Sequence, residues 1–518
     1  MGIVSLQYLF FLTLVFLAYF LCPKRHRWCV LLAASWVFYA VCGLTYLPFL
    51  AVVTLSTWLA ARAMGRIAEK AAAQMAALTE REKKRAVKAA AQKKKRRVIA
   101  VCLAVDFGIL ATLKYLNFFV GLLGGEPLEL LMPLGLSFYT FQAAGYVIDV
   151  YRSREKPEPN LAKYALFVSF FPQLVQGPIS RHDSLAGQLY EGHDFDFVRA
   201  RSALRLMAWG YFKKCLVADK LAVAVAALFD APAEHSGCMA AFAALCYGVQ
   251  IYADFSGGID VVRGVGQFLG VDMERNFNQP YFAVSIADFW RRWHITLGNW
   301  MRSYIFYPLA LSKRMTRLGR RLSDRIGAYA GKAIPLCLAS LVTFLLVGIW
   351  HGAGWKYIAY GLWNGVLISI GTLTEPVLER FYEKRGINSD GWLLHLLRIL
   401  RTFLLVTVGR FLVRAADLKT AFFMLGRVFS AWNDGPAFAA DLLELGVDGK
   451  NLLVVACGVG VMLLVGILRE RGKDIRAWIE ARPVWLQLAG EFVFALILIV
   501  LGEYGAEYDP ADFIYMVF

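Results

Sequence analysis

Long apolar stretches separated by short basic loops run along most of the chain. Examples are residues 4–22, 36–61, 401–414 and 452–468. A helix needs about 20 predominantly apolar residues to cross the hydrocarbon core of a bilayer, so we predict an all-α polytopic membrane protein. We expect roughly eleven to thirteen spanning or half-spanning segments in a single membrane domain over residues 1–518.

The apolar pattern is interrupted repeatedly in the middle of the chain. The interruptions are "MPLG" (132–135), "FFPQLVQGPISRH" (170–182), "YADFSGGID" (252–260) and "NQPYF" (278–282). Proline, glycine and charge in an apolar context predict re-entrant or broken helices, whose freed backbone groups must be buried in protein or line a wet cavity. We therefore expect a helical bundle arranged around a polar path, or funnel.

Composition agrees with a membrane protein and argues against a nucleic-acid partner. The 518 residues are 58% hydrophobic and only 18% charged, yet the formal net charge is +17. The basic residues cluster between apolar stretches, most densely in "REKKRAVKAAAQKKKRR" (81–97). This distribution favours an exposed helix that lies on an anionic membrane surface or projects from it. Docking of an acidic partner such as a carrier protein is the alternative.

The basic loops also indicate an orientation, because positively charged loops face the cytoplasm. Residues 23–27 and the segment 62–97 are then cytoplasmic, and two helices joined near residues 43–46 lie between them. The acidic, turn-rich segment 432–449 and the C-terminal tail, 503–518, are placed outside. We predict a multi-pass protein of the plasma membrane.

Nine cysteines are scattered through the chain, mostly within apolar stretches. They show neither a CxxC motif nor the Cys/His spacing of a zinc site, so we predict no metal and no disulfide framework.

Two histidines are candidates for chemistry. His351 follows a stretch of membrane length, and His294 lies in "SIADFWRRWHITLGNWMRSYIFYPL" (285–309), which is rich in Trp, Tyr and Arg. An ionisable group at membrane depth is by default a functional hypothesis, and an imidazole suits a general base. From the residues alone, His351 can equally be a core histidine bonded to a neighbouring helix, and His294 a polar residue on an interfacial helix.

Several long motifs resemble the membrane-bound O-acyltransferase family, in particular the bacterial branch that serves alginate O-acetylation and teichoic-acid D-alanylation. The resemblance covers nearly the whole chain. Its motifs are "KYLNFF" (114–119), "MPLGLSFYTFQAAGYVIDVYR" (132–152), "FFPQLVQGPISR" (170–181), "YADFSGGID" (252–260), "FNQPYFAVSIADFWRRWHITLGNWMRSYIFYPL" (277–309) and "GIWHGAGWKYIAYGLWNG" (348–365).

The resemblance implies that His351 is the principal catalytic residue and His294 its partner, in a funnel through the membrane. It implies acyl transfer, most simply of acetyl, from a cytoplasmic thioester to a hydroxyl of an extracellular or cell-wall polysaccharide. Acetyl-CoA is the expected donor and an acyl carrier protein the alternative, with no tightly bound cofactor. Further residues expected to line the funnel or orient its segments are Asp288, Trp290, Arg291, Arg292, Trp350 and Asn364. Asp254 is expected to be structural.

The tail ends in "FIYMVF" (513–518), which is too short to span a membrane. It is either an interfacial aromatic anchor or, as the resemblance implies, an acyl relay through Tyr515. In the relay, a secreted or membrane-anchored partner acyltransferase moves the acyl group to the polymer.

Three other functions stay open at this point. D-alanyl transfer from a carrier protein to teichoic acid is the alternative within the same class. A transporter, or a membrane scaffold without catalysis, would use the broken helices differently and would not need His351 in particular.

Overall fold

The structure is a computed structural model that describes residues 2–174, 176–430 and 448–503, with single residues at 432, 438, 442 and 445. Within these residues the regular elements are helices, and an isolated antiparallel bridge pairs Phe277 with Trp293. The predicted all-α membrane fold is confirmed. Most of the predicted outer loop, 432–449, and all of the tail after residue 503 lie outside the described residues.

The helices vary widely in length. In chain order they are α1 Leu6–Leu21, α2 Arg27–Cys42, α3 Leu47–Ala76, α4 Arg81–Leu122, α5 Leu136–Tyr151, α6 Leu161–Ser169, α7 Phe171–Leu174, α8 His182–Tyr190, α9 Phe197–Tyr211, α10 Asp219–Asp230, α11 Gly237–Phe268, α12 Ile286–Arg292, α13 Ile295–Met301, α14 Tyr307–Ala310, α15 Lys313–Ile326, α16 Ala328–His351, α17 Trp355–Arg385, α18 Trp392–Arg414, α19 Leu418–Ser430, α20 Gly449–Glu470, α21 Ile475–Glu480 and α22 Val484–Leu501. Two π-helical segments, Phe212–Ala218 and Arg302–Phe306, connect neighbouring helices.

Six helices are long and apolar enough to cross a membrane, counted over the described residues. They are α3 with the short turn before it, α4, α11, α16, α20 and α22. The helix α1 is apolar but shorter. The count of eleven to thirteen also included half-spanning segments and stays a prediction.

The chain divides into two compact units, one formed by residues 2–207 and 261–274 and the other by residues 208–260 and 275–503. In the first unit α3 and α4 form a hairpin that packs on α5. With 42 residues, α4 is roughly 63 Å long, about twice the thickness of the hydrocarbon core. Its basic N-terminal part, 81–97, is helical, and its place at a membrane surface or against an acidic partner stays a prediction.

The second unit contains the α16–α17 hairpin, in which two glycines bring the helix backbones together. A Cβ at Gly348 would lie 2.2 Å from the carbonyl oxygen of Tyr357, and a Cβ at Gly361 would lie 2.4 Å from that of Phe344. Larger residues cannot occupy these positions without moving the helices apart. The hairpin turn is thereby held in a fixed place at the end of α16.

The prediction of broken helices is correct at residues 278–310 and wrong at "YADFSGGID" (252–260). The first region is divided into a 3-10 turn and the short helices α12, α13 and α14, whereas the second lies within the continuous helix α11. Gly257 does not interrupt α11. It allows close approach to another backbone, because a Cβ there would lie 2.8 Å from the carbonyl oxygen of Gly210.

The charges of this motif are paired rather than exposed to a cavity. Lys214 lies 2.7 Å from Asp254 and 2.6 Å from Asp219, with all three side chains buried. Lys213 lies 2.8 Å from Asp260. Asp254 thus has the structural surroundings that the sequence led us to expect.

Candidate active site

His351 is the last residue of α16, directly before the turn into α17. Its side chain is buried, and its ring centroid lies 5.0 Å from that of Trp350 and 5.6 Å from that of Tyr360. Gly352 follows in a position where a Cβ would lie 2.3 Å from the Tyr357 ring. The glycines of the hairpin therefore fix the position of the imidazole at its tip.

His294 lies at the break between α12 and α13. Its backbone adopts the left-handed conformation, with φ 44° and ψ 55°, and it begins α13. Residues 292–295 pair with residues 276–278. The Asn278 N–H donates to the Arg292 carbonyl, and the Ile295 N–H donates to the Asn276 carbonyl. The break is thus a defined structure rather than a loose loop.

The two histidines come together through aromatic rings. Trp350 contacts both, with its ring centroid 5.7 Å from that of His294 and 5.0 Å from that of His351. Phe255 of α11 also packs edge-to-face on His294, at 4.9 Å. Both imidazoles therefore lie in buried surroundings formed largely by rings.

Asn276 is a site residue that the sequence analysis missed. Its side chain is buried, and its Oδ1 accepts hydrogen bonds from the Thr296 backbone N–H at 2.9 Å and from the Thr296 hydroxyl at 2.8 Å. The same oxygen lies 3.4 Å from Nδ1 of His294. A single asparagine in a polar loop gives no pattern in sequence, and only the pairing of 276–278 with 292–295 brings it to the histidine.

Trp290 and Asn364, both predicted to line the funnel, contact each other. The Trp290 indole N–H donates to Asn364 Oδ1 at 2.9 Å, and Asn364 Nδ2 donates to the Tyr360 carbonyl at 2.8 Å. Since Tyr360 also contacts His351, this chain of contacts connects α12 to the catalytic candidate. The Trp290 N–H is thus engaged by Asn364.

Asp288, Arg291 and Arg292 form a charged group away from the rings. Asp288 lies 3.2 Å from Arg291 and 3.0 Å from Arg292, and Arg292 also makes two 2.9 Å hydrogen bonds to Glu470 at the end of α20. The side chain of Arg291 is 59% exposed. These contacts fit the predicted orienting role for α12. The remaining predicted site residue, Tyr515, lies outside the described residues.

The electrostatics of the site favour a neutral His294. His294 lies outside the six candidate spans, and burial lowers its pKa well below the ordinary value, with a further lowering from the nearby His351. A neutral imidazole in such a place can accept a proton. Over the residues that the structure describes, no group of three or more His, Cys, Asp or Glu side chains could hold a metal ion.

Comparison with known proteins gives the family. A model of the membrane-bound O-acyltransferase family matches residues 92–322, a range that includes His294. A probable alginate O-acetylase of Azotobacter vinelandii is 34% identical over 463 residues, which cover 87% of this chain and 82% of that protein.

Two further relatives act on other polymers. The peptidoglycan O-acetyltransferase of Helicobacter pylori is 31% identical over 54% of this chain and 56% of its own length. The teichoic acid D-alanyltransferase of Bacillus subtilis is 26% identical over 55% of this chain and 69% of its own length. With its apolar helices and its buried histidine pair, the chain belongs to the membrane-bound O-acyltransferase family and is an O-acyltransferase.

Proposed function

We propose that the protein transfers an acetyl group from a cytoplasmic thioester, acetyl-CoA, to a hydroxyl for the O-acetylation of an extracellular or cell-wall polysaccharide. It does so in the plasma membrane. The observation that carries the proposal is the pair of buried imidazoles, His294 and His351, which both contact the Trp350 ring. Alginate and peptidoglycan O-acetylases among the relatives support acetyl as the group transferred.

In the proposed reaction His351 removes the proton of the acceptor hydroxyl as its oxygen attacks the thioester carbonyl carbon. A carbon–oxygen bond forms, the carbon–sulfur bond breaks, and the proton passes from the imidazole to the departing thiolate. Such general-base catalysis typically contributes about 10²–10⁴-fold to the rate. His294 is the partner of His351, and the hairpin glycines hold the His351 ring at the end of α16.

The two substrates reach the site from opposite sides of the membrane. The thioester arrives from the cytoplasm and the hydroxyl from the outer side, so no tightly bound cofactor is needed. The acceptor hydroxyl belongs either to the polymer or to Tyr515, from which a secreted or membrane-anchored acyltransferase would move the acetyl group onward. Tyr515→Phe separates these two routes, since it stops only the relay.

The test is the acetate content of the cell-surface polymer in cells that carry His351→Ala beside the wild type. Ester-linked acyl groups are released with mild base and measured by mass spectrometry, and the amount of the protein in the membrane is measured in parallel. We expect ester-linked acetate to fall at least about 100-fold at normal protein level.

His182→Gln is the matched control. The His182 side chain is also buried, at 9% exposure, but this residue belongs to the first unit and not to the candidate site. It should leave acetylation intact. Loss of D-alanine instead of acetate in His351→Ala would replace the proposal by D-alanyl transfer from a carrier protein. Unchanged acylation would overturn the catalytic role and favour the transporter or the scaffold.

A further inference from the structure

The side chain of Asn276 faces Nδ1 of His294 at 3.4 Å. Its Oδ1 receives a hydrogen bond from the Thr296 backbone N–H, and a backbone N–H can only donate. The atom facing His294 is therefore an oxygen, and this does not depend on how the amide was oriented. Such an oxygen at 3.4 Å favours a hydrogen on Nδ1, because a bare Nδ1 would set two lone pairs against each other.

The length of this contact has a simple cause. A carbonyl oxygen has two lone pairs, and the backbone N–H and hydroxyl of Thr296 already approach Oδ1 at 2.9 and 2.8 Å. The contact to His294 is the third and is accordingly longer. Catalytic hydrogen bonds are often long without substrate and shorten in the reacting complex.

We propose that Asn276 is a positioning residue that holds His294 in the Nδ1–H tautomer, so that Nε2 keeps its lone pair and can take the hydroxyl proton from His351 and pass it to the departing thiolate. The proposal rests on the proposed function and refines it. In its neutral form His294 then cannot donate a hydrogen bond to an oxyanion through Nε2. That role must come from another donor, and His294 supports the movement of the hydroxyl proton.

Aromatic rings and a second histidine also surround His294. Phe255 of α11 and Trp350 of α16 approach with their rings, and His351 is the titratable group that acts on His294 from α16. The Arg410 guanidinium of α18 lies 4.8 Å from the ring centroid of the preceding residue, Trp293.

The direct test is nitrogen NMR of the full-length protein in detergent, labelled with ¹⁵N-histidine. The two neutral tautomers give different two-bond ¹H–¹⁵N patterns, and the signals that disappear in His294→Asn identify His294 among seven histidines. We expect hydrogen on Nδ1 and none on Nε2. The opposite tautomer would overturn the proposal, whatever reaction the protein catalyses.

The functional test is the pH profile of acyl transfer in Asn276→Asp. The carboxylate keeps an oxygen for both Thr296 donors but adds a negative charge beside Nδ1–H, which stabilises the protonated imidazole. The acidic limb of the profile should move to higher pH by about one unit or more. Thr296→Val is the matched control, since it removes one hydrogen bond to the same oxygen and keeps the contact to His294; its limb should not move.

The outcomes separate the two proposals. An unmoved limb in Asn276→Asp, at normal membrane level, overturns the role of the tautomer in turnover. If Asn276→Asp does not accumulate in the membrane, the NMR measurement of the His294 tautomer in the wild-type protein still tests the proposal. If His351→Ala retains acetylation, the proposed function fails while the NMR result remains valid for His294.

Discussion

Two buried polar clusters lie in the second unit. One consists of paired charges, and the other consists of neutral groups and aromatic rings. We call one the lysine cluster, formed by Lys213, Lys214, Asp219, Asp254 and Asp260. The other is the histidine site, formed by Asn276, His294, Trp350 and His351. In the lysine cluster each charge faces an opposite charge within 3 Å, whereas the histidine site is lined by rings and neutral groups.

The difference shows which cluster is suited to chemistry. A buried ion pair resists any change of protonation, because the loss of one charge leaves the other unpaired in a poorly solvated place. A neutral imidazole leaves no partner charge unpaired when it takes up or releases a proton, although burial opposes the charged form. We therefore expect changes in the lysine cluster to affect mainly stability, and changes in the histidine site to affect mainly the rate.

The largest loss of stability should come from Lys214→Met. The change leaves two buried carboxylates, Asp219 and Asp254, without the ammonium group between them. Breaking a buried pair in this way costs about 3–5 kcal/mol. Thermal unfolding in detergent measures the loss. Lys220→Met is the control and should cost less, because its carboxylate partner, Glu503, is half exposed. Equal effects of the two variants would contradict the comparison.

A smaller effect is expected from Gly348→Ala, which forces the α16–α17 hairpin apart. The new methyl group would meet the Tyr357 carbonyl oxygen, and overpacking of this kind costs about 1–3 kcal/mol. Because His351 is only one turn away, acyl transfer should fall more than stability. Gly371→Ala on α17 meets nothing within 4 Å and should be neutral or slightly stabilising. A Gly348→Ala variant with wild-type activity would show that the hairpin does not position the histidine.

Stability should depend on pH through the histidine site. The lowered pKa of His294 means that below pH about 6.5 the unfolded chain binds a proton that the folded protein does not. Stability is then complete above that pH and decreases as the pH falls, by up to about 1.4 kcal/mol per unit. Unfolding temperatures at pH 7.5 and 5.5 should differ more for the wild type than for His294→Asn. An equal difference would contradict a neutral His294.

The smallest effect should come from Arg292→Ala. This arginine joins α12 to Glu470 of α20 from a partly exposed position, and such pairs contribute at most about 1 kcal/mol. Arg291→Ala, which changes a more exposed partner of the same Asp288, should have no measurable effect on unfolding. If Arg292→Ala abolishes activity at normal stability, the Arg292 side chain has a catalytic rather than an orienting role.

The sequence was most informative where a local pattern determines the structure. Apolar length predicted α1 and α16, and polar residues in an aromatic context pointed to His294. It misled at Gly257, where the glycine serves close packing within a continuous helix. It could not reveal Asn276 or Phe255, because their place beside His294 depends on contacts between distant parts of the chain. The segment 313–326 is a basic helix, α15, which no family motif predicted.

The left-handed backbone of His294 subjects this position to two unrelated selection pressures. Among residues other than Gly, such a conformation is adopted most readily by Asn, Asp and His. Folding alone would thus accept Gly, Asn or Asp as well as His, whereas the reaction needs an imidazole. A saturation library at position 294, sorted separately for membrane abundance and for polymer acylation, should rank the amino acids differently. Alanine at this position mixes the two effects, and asparagine is the substitution that isolates the chemistry.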